Sequence, residues 1–232
     1  MIAITHNHLK LFEEFNLENT KDRLIKVALE TFAQKGYDNT PVRELALKAD
    51  ANIAAINYHF GGKEGLYHAV LEYIADYMDS WAMPLLNEYE KFLETQDKKL
   101  DIDETLLWIH SFLNTFISTA LESYESNILL HKIIAREQLR QTFEFDKIYG
   151  SATIKLAEYI IGDLLSRIAN KDINSDEIII YTQSIIGQIE TFISVNGTIY
   201  TKLDVKELSK KQIEMIKSTI IKNMNTIILD FK

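Results

Sequence analysis

The chain has 232 residues, nearly half of them hydrophobic, with no cysteine, two prolines and a formal net charge of −9. Such a length and apolar content suit a globular protein of two modest domains. The missing cysteines remove disulfides, thiolate metal sites and cysteine nucleophiles, and the acidic balance disfavours a nonspecific DNA-architectural protein. In chain order, residues 1–18 read as an N-terminal arm, apolar at Leu9, Leu11, Phe12 and Phe15 but without a cap or a long period. Ile2 to Ile4 is too short for an export core. With no signal peptide and no apolar run of transmembrane length, a cytoplasmic protein without a membrane partner is expected.

A first helix is expected from a cap at Asn19 or Thr20 to Lys35, with Leu24, Ile25, Ala28, Leu29 and Phe32 inward and Gly36 as its stop. Thr40 and Pro41 then read as N-cap and first helical residue of a second helix, whose Val42, Leu45, Ala46 and Ala49 form one apolar stripe. Asp50-Ala51 breaks the pattern, and Asn52 caps a third helix. There Ile53, Ile56 and Phe60 fall on one side, which puts Ala54, Ala55 and Tyr58 opposite and Asn57 and His59 on the shoulders. Small residues permit close approach to base edges and thymine methyls, while Asn, Tyr and His can bond bases or phosphates. Gly61-Gly62 end this helix, and the Lys63 ammonium follows where it could hold a phosphate. By spacing alone, two short helices and a turn are equally well a plain packing unit.

The residues themselves add more. TKDRLIKVALETFAQKGYDNTPVRELALKADANIAAINYHFGGKEGLYHAVL, Thr20 to Leu71 without a gap, resembles the N-terminal signature of the TetR family of transcriptional regulators. NIAAINYHF and GGKEGL look closest to its YbiH/CecR-type subgroup. The chain departs from the family pattern at Asp50, usually Gly, at Ala51, usually a larger aliphatic, and at Asn57, commonly Tyr. Asp tolerates a left-handed turn, so these departures bear on base preference rather than on fold. The local charge agrees with a DNA-facing head: residues 19–68 hold seven Lys/Arg against six Asp/Glu, which leaves −8 on residues 69–232.

From Glu64 a long helix is expected to about Glu94, bent at Pro84, followed by a polar loop at 97–103. Further helices are expected near 103–122, 126–140, 144–169, 175–199 and 205–230, with capping boxes at Asp101/Glu104, Asn174/Glu177 and Asp204/Glu207. The last two are unusually apolar. In the resembled family the final helices form a four-helix interface with a second copy, which nominates Ile185, Ile189, Ile193, Ile216, Ile220, Met224 and Ile227 for dimerisation, with Gly187 allowing close approach. Polar and aromatic residues inside apolar helices are pocket candidates: Trp108, Phe112 and Phe116 around His110, then Arg136 and Glu137, then Gln188 and Phe192. Each taken singly is more simply a satisfied core residue, and only Arg136, Glu137 and Gln188 gain from the resemblance.

The expected fold is all-α: an arm at 1–18, a three-helix helix-turn-helix DNA-binding domain at 19–66 and a helical ligand-binding and dimerisation domain at 67–232. The expected function is a homodimeric, ligand-responsive regulator, most simply a repressor, on a near-palindromic double-stranded DNA operator. Thr40, Arg43, Asn52, Ala54, Ala55, Asn57, Tyr58, His59 and Lys63 are the candidate DNA contacts, and an unidentified small molecule is the effector. No cofactor or metal is called for; Glu64, His68 and Glu72 share a helix face but read as solvated charges. Phosphate loops, zinc-protease helices, nucleophile elbows and di-iron Glu-x-x-His pairs are missing, so an enzyme is not expected. The alternative is a helical small-molecule carrier or enzyme whose first helices are only structural.

Overall fold

A computed structural model describes residues 11–95, 102–122, 124–140, 152–193, 197–205 and 208–229. These contain ten helices and no strand: α1 (Thr20–Lys35), α2 (Val42–Lys48), α3 (Ile53–Phe60), α4 (Lys63–Thr95), α5 (Ile102–Glu122), α6 (Tyr124–Arg140), α7 (Ala152–Ala169), α8 (Asp176–Ile193), α9 (Gly197–Leu203) and α10 (Lys210–Leu229). The chain divides into two compact units. The head comprises Asn7–Ser80 and Glu125–Ala152, the body mainly Trp81–Tyr124 and Thr153–Lys232. The cut lies within α4 rather than at 66/67, and α6 belongs to the head although it follows α5 of the body.

In the head, α1, α2 and α3 pack against one another. The Asn19 side chain caps α1 by accepting from the Lys21 N–H, and Gly36 ends the helix at φ 79°. Leu24, Ala28, Leu29, Phe32 and Ile56 fill the centre. The arm is anchored by Leu11, Phe12 and Phe15: Leu11 is buried, the Phe12 N–H donates to the Tyr73 hydroxyl at 2.8 Å, and Phe12 and Phe15 both lie against the Tyr73 ring, while residues 13, 14 and 16–18 are exposed. The expected bend at Pro84 does not end α4, which continues to Thr95.

In the body, α5, α8 and α10 pack together around Ile109, Leu113, Ile185 and Ile220. The expected 175–199 and 205–230 helices are three, α8, α9 and α10. Asp204 turns left-handed at φ 52° after α9, so it caps nothing. The capping box falls instead at Ser209 and Gln212, where the Ser209 N–H donates to Oε1 of Gln212 and the Gln212 N–H donates back to the serine hydroxyl. Similarly Ser175, not Asn174, precedes α8 at the cap position, its carbonyl accepting from Ile179. Asp101 and the start expected at 144 lie outside the described residues.

Candidate nucleic-acid interface

Helix α2 begins at Val42, one residue later than expected, with Pro41 as N-cap. The shift removes Thr40 from the interface. Thr40 is fully buried, its hydroxyl donating to the Gly36 carbonyl at 2.7 Å, so it fastens the α1–α2 loop and offers nothing outward. After α2 the chain turns at Asp50, whose φ of 48° is the left-handed conformation expected there. The Ala51 N–H closes the turn on the Ala46 carbonyl at 2.9 Å. Asn52 then caps α3 as expected, accepting from the Ala55 N–H at 2.8 Å.

Only Ile56 of α3 is fully buried; Phe60 is half-buried and Ile53, expected inward, is 40 % exposed at the helix edge. A helix of eight residues with one core residue cannot hold itself. Its ends do that work. Gly61 adopts the left-handed conformation at φ 73° and donates its N–H to the Asn57 carbonyl. A Cβ on Gly65 would stand 1.7 Å from the Phe60 carbonyl oxygen, so α4 can follow α3 this closely only with glycine there. The outward face is left bare: Ala54, Asn57, Tyr58 and His59 are exposed, Tyr58 at 85 %, and Ala55 is half-buried. The Tyr58 and His59 rings meet edge to face at 5.0 Å.

Charge is sorted in the same region. Glu44 binds Lys35 at 2.7 Å and Lys48 at 3.0 Å, and these two ammonium groups lower its pKa. Arg43, one residue earlier, is exposed, and its side chain has no hydrogen bond or ion pair among the described residues. The Lys63 ammonium lies 4.2 Å over the Tyr37 ring. Burial, then the Glu64 and Asp38 carboxylates, push the Tyr37 phenol up, so it keeps its proton. A structural residue missed in the sequence is Arg23, which donates to the Ala49, Leu17 and Glu18 carbonyls and ties the end of α2 to the start of α1. An arginine in the first turn of a helix opposes the helix dipole, and that was the available signal.

The pocket candidates are divided between the units. Trp108 and Phe112 are buried in a body row of aromatic rings, Tyr89, Phe92, Trp108, Phe112 and Phe116, with neighbouring centroids 5.5 to 6.2 Å apart, while Tyr89 also meets Trp108 at 4.8 Å. The fully buried Tyr89 donates to Asp163, which also holds Arg167 at 2.7 Å; burial, then Asp163, raise the tyrosine pKa. His110 meets Asn225 of α10 at 2.8 Å. Gln188 accepts from Asn223 at 2.7 Å, which links α8 to α10, and Phe192 is half-buried. Arg136 and Glu137 belong to the head, where Arg136 donates to three carbonyls at the end of α1 and Glu137 accepts from Tyr67. They therefore do not share a unit with the aromatic row.

The dimerisation candidates need correction. Ile185, Ile189, Ile216, Ile220 and Met224 are buried within a single chain, Ile227 is half-buried, and the Ile193 side chain lies outside the described residues. A wide apolar stripe in one sequence does not distinguish a core from an interface, and here the core takes it. Outward on the same helices are Ile180, 62 % exposed, Ser184, Met215, 60 % exposed, Thr219 and Asn223. Gly187 is open: a Cβ there would meet nothing within 4 Å. Among the described residues no group of His, Asp or Glu could hold a metal ion, Glu64, His68 and Glu72 included, and no helix is long and apolar enough to cross a membrane.

Two family models match the chain. Residues 24–70 match the bacterial regulatory proteins of the tetR family, and residues 109–230 match the C-terminal domain of the HTH-type transcriptional dual regulator CecR. Over 212 residues the chain is 30 % identical to the HTH-type transcriptional dual regulator CecR of Shigella flexneri, covering 91 % of this chain and 92 % of that protein. It is 25 % identical over 143 residues to IcaR, the negative regulator of the icaADBC biofilm operon in Staphylococcus aureus, covering 60 % of this chain and 74 % of that one. The fold is similar to a crystal structure of a TetR-family transcriptional regulator from Streptomyces coelicolor, with a TM-score of 0.58 at 11 % identity over 91 % of this chain and 89 % of that one.

Proposed function

The chain belongs to the TetR family of transcriptional regulators, in its CecR-type branch, and from that premise we propose that it is a ligand-responsive repressor binding a near-palindromic operator as a homodimer. The observation that carries this reading is the bare outward face of α3, flanked by Arg43, whose side chain has no partner among the described residues. A side chain already bonded within its own chain must break that bond to reach DNA; Arg43 need not. Arg43 contacts guanine, Ala54, Ala55 and Asn57 fit base edges, and Asn52, Tyr58, His59 and Lys63 hold the phosphate backbone. IcaR is a negative regulator, which supports repression over activation.

Pairing of two copies, which a two-fold operator requires, uses the outward residues of α8 and α10, with Gly187 and Ser184 permitting close approach. The effector site lies in the body beside the aromatic row of Trp108, Phe112 and Phe116, and the protein acts in the cytoplasm. An effector lowers operator affinity only as far as it prefers a conformation whose paired heads no longer match successive grooves. A salt-titrated anisotropy assay tests the reading: the DNA upstream of its own gene should bind more tightly than a scrambled duplex, two chains per site. Equal affinity for the two duplexes at every salt concentration overturns it.

A further inference from the structure

Two consecutive residues of α6, far in sequence from the helix-turn-helix, hold the corner of the head that carries Tyr37 and Lys63. The Arg136 guanidinium donates to the Phe32 and Ala33 carbonyls at 2.5 and 2.8 Å and to the Gln34 carbonyl at 3.2 Å. These carbonyls lie in the last turn of α1, whose negative end favours a cation; that of Phe32 also accepts the Gly36 N–H at 2.8 Å, whereas those of Ala33 and Gln34 come too late in the helix for an intrahelical donor. The guanidinium also lies against Gly36, which starts the loop leading through Tyr37 to α2. Glu137, 3 % exposed, accepts from the Tyr67 hydroxyl at 2.5 Å. Tyr67 stands one turn after Lys63 on α4, and its ring packs on Tyr37 at 4.9 Å and Phe32 at 5.0 Å. The Lys63 ammonium then rests on the other partner of that pair, the Tyr37 ring.

We infer that Arg136 and Glu137 are positioning residues for DNA binding: Arg136 sets the end of α1, Glu137 sets Tyr67, and together they place Tyr37 and Lys63 to receive one phosphate. Neither touches DNA. The fit between α6 and the α1–α2 loop is not solid, since a recess of about 290 Å³ lined by Lys35, Tyr37, Asn39, Tyr67 and Ile133 remains beside the two residues. Loss of the polar ties therefore frees the loop to shift into existing space instead of opening a new cavity. These bonds account for Arg136 and Glu137 with no effector needed at either position.

The inference rests on the regulator reading, so the test uses the full chain and a duplex selected by it from a random library. Affinity is measured over a range of salt for the wild type and for R136A, R136K, E137Q, K63A and R136A/K63A, with thermal melts alongside. K63A should reduce the slope of log affinity against log salt by about 1.8, since each of the two heads in the bound dimer neutralises one phosphate fewer. R136A should weaken binding by about tenfold with a similar fall in slope, and should cost much less than tenfold when added to K63A, because the two act through one contact. R136K, which keeps a charged donor for the carbonyls, should recover part of the loss. If R136A does not fold, E137Q and Y67F, which change a few atoms each, should weaken binding by about threefold with the same failure to add to K63A. Variants that lower the melting temperature but keep the wild-type slope and affinity, or costs that add fully to K63A, overturn the inference. Failure of the selection to recover any preferred duplex sinks the regulator reading itself, a different result from a preferred duplex that wild type and variants bind alike.

Discussion

The head and the body use their apolar residues in opposite ways. In the head, α3, with its bare outward face, buries one residue of its eight and relies on a cap at Asn52, a left-handed Gly61 and the close passage at Gly65. In the body, α8 and α10 bury Ile178, Ile185, Ile189, Ile213, Ile216, Ile220 and Ile228, while Ile179, Ile180 and Met215 stay exposed among mostly polar or small neighbours. Residues free to act in the head are those the fold does not need. In the body, the residues with the strongest apolar signal are the ones the fold consumes.

The largest effect expected from this contrast is on stability of the body. Ile185→Ala should cost about 4 kcal/mol in chemical denaturation, since it empties a fully buried site. Ile180→Ala, on the exposed face of the same helix, should stay within about 0.5 kcal/mol and instead weaken self-association in sedimentation equilibrium. The reverse ranking would restore Ile185 to the interface. In the head, Gly65→Ala should cost about 3 kcal/mol, read from the urea midpoint, because its Cβ meets backbone that cannot swing away. An unchanged midpoint would show that α3 is not held by its junction with α4.

Acid should find a different weakness in the head. His131 on α6 keeps some surface exposed, yet burial holds its imidazole down to about 4. The unfolded chain takes up this proton near 6.5 and the folded chain only near 4, so the contribution is complete above about 6.5 and is lost as the pH falls toward 4. The loss is roughly 2 to 3 kcal/mol, and His131→Gln should remove that part of the acid limb in denaturation curves taken across this range. The smallest effect on the fold belongs to Arg43→Ala. It should cost about 2 kcal/mol of operator binding while leaving the denaturation midpoint where it was. A midpoint shift as large as the binding loss would make Arg43 a structural residue.

Much of the head was legible because its signals are local. Asn19, Gly36, Asn52, Gly61 and the left-handed Asp50 each act within a turn or two of chain, where residue type alone states the backbone conformation required. Thr40 was misread by a single position: a hydroxyl one residue ahead of a cap looks like the cap until its bond to Gly36 is seen. The box expected at Asp204 failed similarly, since two candidate caps lie five residues apart and only one begins a helix.

By itself the sequence determined the first three helices of the head, their stops and the outward chemistry of α3, because intervals of three and four residues are written directly into the chain. Tertiary structure alone decided what the long-range polar residues do. Arg136 finds its carbonyls more than a hundred residues back, Glu137 finds Tyr67 seventy residues back, and Tyr89 finds Asp163 seventy-four residues on. It also decided which side of each isoleucine-rich helix faces the core. Hydrophobic burial has no direction of its own, so a helix apolar around much of its circumference is oriented by its neighbours, and those are set only when the chain folds.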